Sequence, residues 1–198
     1  MAREKKRVVN RLWFGLQTMI PGSKIKLRDK KLSDARSDYQ WQTDPELVRL
    51  DAAPLLTASF AQYLLDYTDE LHHSTSTRYP FAIETLDGHH IGNCVYYNIN
   101  ESKDEAELGI MIGNCDYWGK GYGSDSVATL ANHIFLQTNL KRIYLKTLDW
   151  NRRAQKCFQK CGFTPYGRLV RDGHSFVLME LLSKQWEEKW RNEVRNKG

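Results

Sequence analysis

The chain has 198 residues, 41% of them hydrophobic and 27% charged, enough for one domain with a sizeable core and terminal extensions. No run approaches the roughly 20 apolar residues that span a bilayer, which argues against a membrane-spanning helix. The net charge of +5 is uneven: Arg3, Lys5, Lys6, Arg7 and Arg11 stand against Glu4 alone within residues 1–11. The rest is nearly neutral, so a nucleic-acid surface on the folded part is not expected.

The start does not read as a secretion signal, because Asn10 and Arg11 interrupt its apolar part and no small-residue cleavage site follows. Val8, Leu12, Trp13, Leu16 and Ile20 could share one face of an amphipathic helix, although a basic tail with disordered first residues is the simpler reading. Pro21-Gly22 closes this extension, placing a folded domain over 23–182. Residues 24–28 alternate as a short strand. Ser33 and Asp34 can cap a helix through Trp41, and Asp44-Pro45-Glu46 can start a second. Residues 55–71 carry apolar side chains at helical spacing. Residues 80–85 and 90–98 form a predicted hairpin about Asp87-Gly88.

Residues 105–112 alternate as a strand, with Ala106, Leu108, Ile110 and Ile112 on one face. A glycine-rich turn follows, then helical spacing over 122–137. Residues 142–148 form a strand, and 152–161 a helix closed by Gly162. Residues 163–170 and 176–182 form a last hairpin around Asp172-Gly173. A charged amphipathic helix, with Trp186 and Trp190 on one side, fills the C-terminal segment 183–198. The expected class is mixed α/β (α+β), with a largely antiparallel sheet of six to seven strands flanked by helices.

Cys94, Cys115, Cys157 and Cys161 form no C-x-x-C pair, and His133 and His174 stand alone, so no metal site is expected. The default compartment for such thiols is the reducing cytoplasm.

The chemistry lies in Trp118-Gly119-Lys120-Gly121-Tyr122-Gly123, between a strand and a helix start. Three glycines let the backbone turn sharply and approach a ligand. The unpaired N–H groups and positive dipole end of the next helix favour a phosphate. The spacing fails the P-loop, since Lys120 is followed by Gly121, and fails the dinucleotide fingerprint, since Ser124 stands at its last glycine. What matches is x-x-x-Gly-x-Gly after a strand. Downstream stand Asn151-Arg152-Arg153-Ala154, Phe158 and Gly162-Phe163, and upstream Glu107-Leu108-Gly109-Ile110. Together these resemble the GNAT acetyltransferase superfamily over roughly residues 24–182. The tryptophan at 118 is similar to the branch with ribosomal-protein alanine acetyltransferases and spermidine acetyltransferases.

The resemblance implies acetyl-coenzyme A in a splay between the strands at 105–112 and 142–148. Backbone groups of Met111 and Ile112 would meet the pantetheine arm, and residues 118–124, including Ser124, would hold the pyrophosphate. Asn151 would bond the pantetheine side, Ala154 would leave room for it, and Phe158 would line the site. Glu107 is the candidate general base, directly or through water, or else a structurally paired carboxylate. Phe158 stands where many members place a tyrosine that protonates the leaving thiolate. Tyr166 and Cys157 are nearby in sequence. The implied acceptor is a primary amine: a protein N-terminus, a polyamine or another small amine, approached from about 41–73 and 168–175. Asp44, Glu46, Asp66, Asp69 and Glu70 could attract it or be plain helix surface. A homodimer is compatible with the resemblance. A non-catalytic acyl-coenzyme A sensor is the alternative that Phe158 keeps open.

Overall fold

The computed structural model describes residues 18–73 and 77–188. The proposed N-terminal surface helix lies outside them except for its last members, as does the C-terminal segment beyond 188. Ile20 belongs instead to a strand, β1 (Met19–Pro21), which pairs antiparallel with β2 (Ile25–Arg28). The sheet therefore begins inside the expected extension. It has eight strands among the described residues, β1 being the one beyond the expected seven.

A short 3-10 turn (Leu32–Asp34) leads into α1 (Ala35–Thr43). Then comes α2 (Pro45–Asp51), whose start is fixed by Pro45 and by Asp44, which accepts from Glu46 N and Leu47 N. The next helix, α3 (Phe60–His72), begins five residues later than the apolar spacing predicts. Pro54 interrupts the chain, and Ser59 supplies the cap by accepting from Gln62 N. The strands β3 (Arg78–Thr85), β4 (His90–Asn100) and β5 (Glu105–Ile112) follow as an antiparallel meander. The long helix α4 (Tyr122–Gln137) returns the chain to β6 (Arg142–Leu148). Last come α5 (Arg152–Lys160) and the hairpin β7 (Thr164–Arg171) and β8 (His174–Leu182). Positive φ at both Asp172 (51°) and Gly173 (74°) gives that hairpin the turn hand that matches strand twist.

The spatial order is β1-β2-β3-β4-β5-β6-β8-β7. Only β5 and β6 are parallel neighbours. Alternation along the strands builds two layers. Ile25, Leu27, Phe81, Ile83, Cys94 and Leu108 turn to Val127, Leu130, Ala131 and Ile134 of α4 in the main core. Asn93, next to Cys94, points the other way and donates to Asp38 of α1 at 2.6 Å. That face carries a buried charge network: Arg28 pairs with Asp34 at 2.8 Å and with Glu84, and Lys30 pairs with Asp38. A smaller cluster of Ala35, Tyr63 and Tyr67 joins α1 to α3.

Candidate active site

The parallel pair β5–β6 is short. Glu105, Ala106 and Glu107 pair with Arg142, Ile143 and Tyr144, and pairing stops there. Beyond this point β5 stays with β4 as far as Gly92↔Ile112, while β6 stays with β8 as far as Leu148↔Phe176. The strands fork, and a cavity of about 470 Å³ opens between them. Ile110, Met111 and Ile112 form one wall; Asn151, Ala154, Cys157 and Phe158 form the facing wall. Leu47, Leu50 and Asp51 of α2 close one end, and Tyr117, Trp118, Gly119, Gly121, Gly123 and Ser124 the other.

The loop end is shaped by glycine. Gly119 (φ 71°) and Gly121 (φ 89°) adopt left-handed backbone. Gly121 is the N-cap of α4, and among the described residues no side chain caps that helix. Its first-turn N–H groups therefore have no intrahelical or side-chain partner at the point where Gly121, Gly123 and Ser124 line the cavity. Trp118 is locked: its indole N–H donates to Ile112 O at 2.7 Å, and the Arg153 guanidinium lies 3.5 Å from its ring centroid. Asp125 fixes α4 from behind by accepting from Ser23 N, Lys24 N and Ile25 N of the β1–β2 turn. Lys24 then reaches the carbonyl of Lys120 at 3.2 Å. Arg153, Lys156 and Lys160, one face of α5, add a basic rim to the cavity.

On the same wall Cys157 Sγ lies 3.4 Å from Ser124 Oγ, and the Cys161 thiol donates to Ser124 O at 3.3 Å. The neighbouring Cys161 thiol, opposed by burial and helped by Ser124, lowers the Cys157 pKa to about 7. At the other end Asp51 is exposed at the rim, and the protein mass crowded around its carboxyl raises its pKa to about 6 against the pull of Lys146.

Most residues singled out in the sequence meet at this cavity: Met111, Ile112, Trp118, Gly119, Gly121, Gly123, Ser124, Asn151, Ala154 and Phe158. Lys120 and Tyr122 are not among its lining residues. Lys120 is exposed, and Tyr122 packs edge-on against Tyr117 at 5.0 Å. Asn151 spends its side-chain oxygen on capping α5, accepting from Ala154 N at 3.1 Å.

Glu107 is not a lining residue either. It is 6% exposed. It accepts from Lys146 Nζ at 2.6 Å and from Asn98 Nδ2 at 2.9 Å. A bulge in β4, with Asn98 at φ 50°, aims that amide at it. Burial alone would push the Glu107 carboxyl up, but bonds from Lys146, Asn98 and Tyr97 outweigh it and hold the carboxyl below the usual glutamate value. A carboxylate so paired is a weak proton acceptor.

Tyr166 is also away from the cavity, on β7 against the Arg142 guanidinium at 4.7 Å. The five acidic candidates of α2 and α3 are helix surface. Asp44 is a cap, Asp66 accepts from Gln62, Asp69 faces His73, and Glu70 faces Arg78. Sequence reasoning passed over Asp51, Tyr117, Lys24 and the basic face of α5. The i, i+3/i+4 spacing of Arg153, Lys156, Cys157 and Lys160 was the signal for the last. Among the described residues no cluster of three or more His, Cys, Asp or Glu could hold a metal, and no helix is long and apolar enough to cross a membrane.

The acetyltransferase (GNAT) domain family matches residues 24–164. A curated relative, the uncharacterized N-acetyltransferase p20 of Bacillus licheniformis, is 28% identical over 151 residues, covering 75% of this chain and 83% of the relative. The spermidine N-acetyltransferase of Vibrio cholerae, solved with CoA and spermine, superposes with a TM-score of 0.74 at 22% identity, over 83% of this chain and 98% of that one. The aminoglycoside acetyltransferase AAC(6')-Ib, solved with coenzyme A, gives 0.68 at 20% identity, over 82% and 96%. The forked strands, the glycine turn and the Asn151 helix all fall inside the matched region, and the chain belongs to the GNAT acetyltransferase family as an acyl-coenzyme A-dependent acetyltransferase.

Proposed function

We propose that this chain acetylates a primary amine, with acetyl-coenzyme A entering the β5–β6 fork. The observation that carries the reading is the uncapped N-terminus of α4 opening onto the end of an apolar fork. When bound, acetyl-coenzyme A would supply an acetyl thioester: the amine nitrogen forms the C–N bond, the C–S bond breaks, and coenzyme A leaves as a thiol with the proton that the nitrogen has lost.

The chain's own groups divide the remaining work. The turn 119–124 takes the diphosphate on backbone N–H groups, where oriented dipoles need no rearrangement. Arg153, Lys156 and Lys160 neutralise phosphate charge at the rim. Ile110, Met111 and Phe158 exclude water around the pantetheine arm, and the amide NH2 of Asn151 is left to bond it. The edge of β5 from Ile110 to Ile112, which has no partner in β6, presents backbone groups to the reacting carbonyl.

The acceptor is a protein N-terminus, a polyamine or another small amine. The two solved relatives carry spermidine and aminoglycoside in their names. The test is thiol release from acetyl-coenzyme A across a panel of amines and N-terminal peptides. Release with at least one acceptor supports the reading. Tight coenzyme A binding without release for any acceptor favours an acyl-coenzyme A sensor, a second reading supported by the hydrocarbon ring of Phe158 in the cavity wall.

A further inference from the structure

The acceptor end of the cavity has its own chemistry. Among the lining residues of this cavity Asp51 is the one carboxylate, while the cations Arg153, Lys156 and Lys160 come from α5. Asp51 is the last residue of α2, and Ala52 turns left-handed just behind it (φ 51°). A carboxylate at a helix C-terminus lies at the unfavourable end of the dipole, so helix stability does not explain it. The helix dipole and the carboxylate instead add up to a local negative potential.

The placement is firm. Leu47 and Val48 anchor α2 in the interior. Arg49 lies over the Trp150 ring at 4.6 Å and ties the helix to the loop before α5. Two groups on the sheet act electrostatically on this end: Lys146 of β6 acts on Asp51, and Asp51 acts on Tyr97 of β4. Lys146 is already paired with Glu107 at 2.6 Å. Counting that pair as neutral, and with Arg49 of the same turn laid over the Trp150 ring, Asp51 is the one charged lining residue that α2 supplies, with Leu47, Leu50 and Ile110 as its apolar companions.

We infer that Asp51 receives the acceptor's ammonium group, and that the acceptor is a primary amine with a single positive charge on an apolar body. A polyamine would bring further ammonium groups to a cavity with no second lining carboxylate, and they would face the α5 cations. This rests on the amine-acetylation reading above and narrows its substrate class.

The experiment uses the full chain saturated with coenzyme A and follows binding of hexylamine, hexan-1-ol and spermidine by calorimetry. Expected are measurable hexylamine binding, hexan-1-ol weaker by about tenfold or more, and spermidine no tighter than hexylamine. Asp51→Asn should weaken hexylamine by about tenfold or more, with unchanged coenzyme A affinity and melting temperature as the control for folding. No measurable hexylamine binding, an Asp51→Asn affinity within about twofold of the parent, or spermidine binding about tenfold tighter than hexylamine would each overturn the inference. Thiol release in parallel samples that hold acetyl-coenzyme A in place of coenzyme A separates the two readings. Amine binding that depends on Asp51 without any release sinks acetyl transfer and leaves the amine site standing. Release that is indifferent to Asp51→Asn sinks the amine site alone.

Discussion

Lys146, two residues beyond the last paired rung of β5 and β6, donates at 2.6 Å to Glu107 on that rung, so the ion pair sits in the crotch of the fork. It bridges the two strands where backbone hydrogen bonds cease. Lys146 keeps 35% of its side chain exposed while Glu107 is nearly covered, so losing the carboxylate charge costs more in pairing than in solvation.

Glu107→Gln is therefore expected to destabilise the fold by about 1–3 kcal/mol at neutral pH, read from urea unfolding. The folded pKa of Glu107 is depressed. Its contribution is present above the unfolded glutamate value of about 4.3 and is lost as pH falls through the lower folded value. The deficit of the variant should shrink in acid. The pH–rate profile should keep its shape, and loss of its acid limb in Glu107→Gln would identify Glu107 as the base.

Asp51 should set the acid limb instead. Desolvation raises its pKa to about 6. The carboxylate that attracts an ammonium group is lost as pH falls through that value, and kcat/KM should fall with it. Asp51→Asn should flatten this limb and raise KM more than it lowers kcat. An acid limb unchanged in the variant contradicts the assignment.

Cys157 should be the reactive thiol of the cavity. With its pKa lowered to about 7, it is largely thiolate at pH 8. Burial pushes Cys94 far up and makes it inert, and Cys115 is exposed but also raised. Mass spectrometry after brief iodoacetamide treatment should find Cys157 alkylated first. Acetyl-coenzyme A should slow that reaction if the thiol faces the ligand.

Gly121→Ala tests the turn. At φ 89° a Cβ is strained whatever the space around it, and the nearest atom is Lys24 Cε at 3.8 Å. The cost is conformational, about 1 kcal/mol or more, and falls on the loop proposed to meet the diphosphate. Coenzyme A affinity should drop by about fivefold or more while the remainder of the fold persists. Unchanged affinity would remove the turn from the donor site.

The elements were legible where local pattern and punctuation agreed. Residues 105–112, 122–137 and 142–148 show clear periodicity between glycine, asparagine or charged boundaries, and the strands and helix have those limits. The strand β1 was hidden because three residues carry no period and Ile20 also fits a helical stripe. The glycine turn was readable because its chemistry is backbone chemistry at fixed spacing. The chemistry of Glu107 was not, because its deciding partner, Lys146, lies 39 residues away on a strand it touches only through the parallel rung. Asp51 was overlooked for a related reason. A carboxylate ending an amphipathic helix looks like ordinary surface until the fold brings the splayed strands beneath it.

Gly113, where β5 gives way to the glycine turn, is pressed against the Trp41 indole of α1 so closely that a Cβ there would lie 2.1 Å from the ring. The indole in turn rests on His90 at 4.9 Å. The start of the glycine turn and the helix α1 thus share one pivot, with no slack between them. A shift of α1 cannot occur without moving the end of β5, so a substitution that enlarges Gly113 should disturb both at once. Any attempt to graft a new acceptor specificity onto this scaffold would have to carry the Trp41–Gly113 pair with it, or the donor half would come loose.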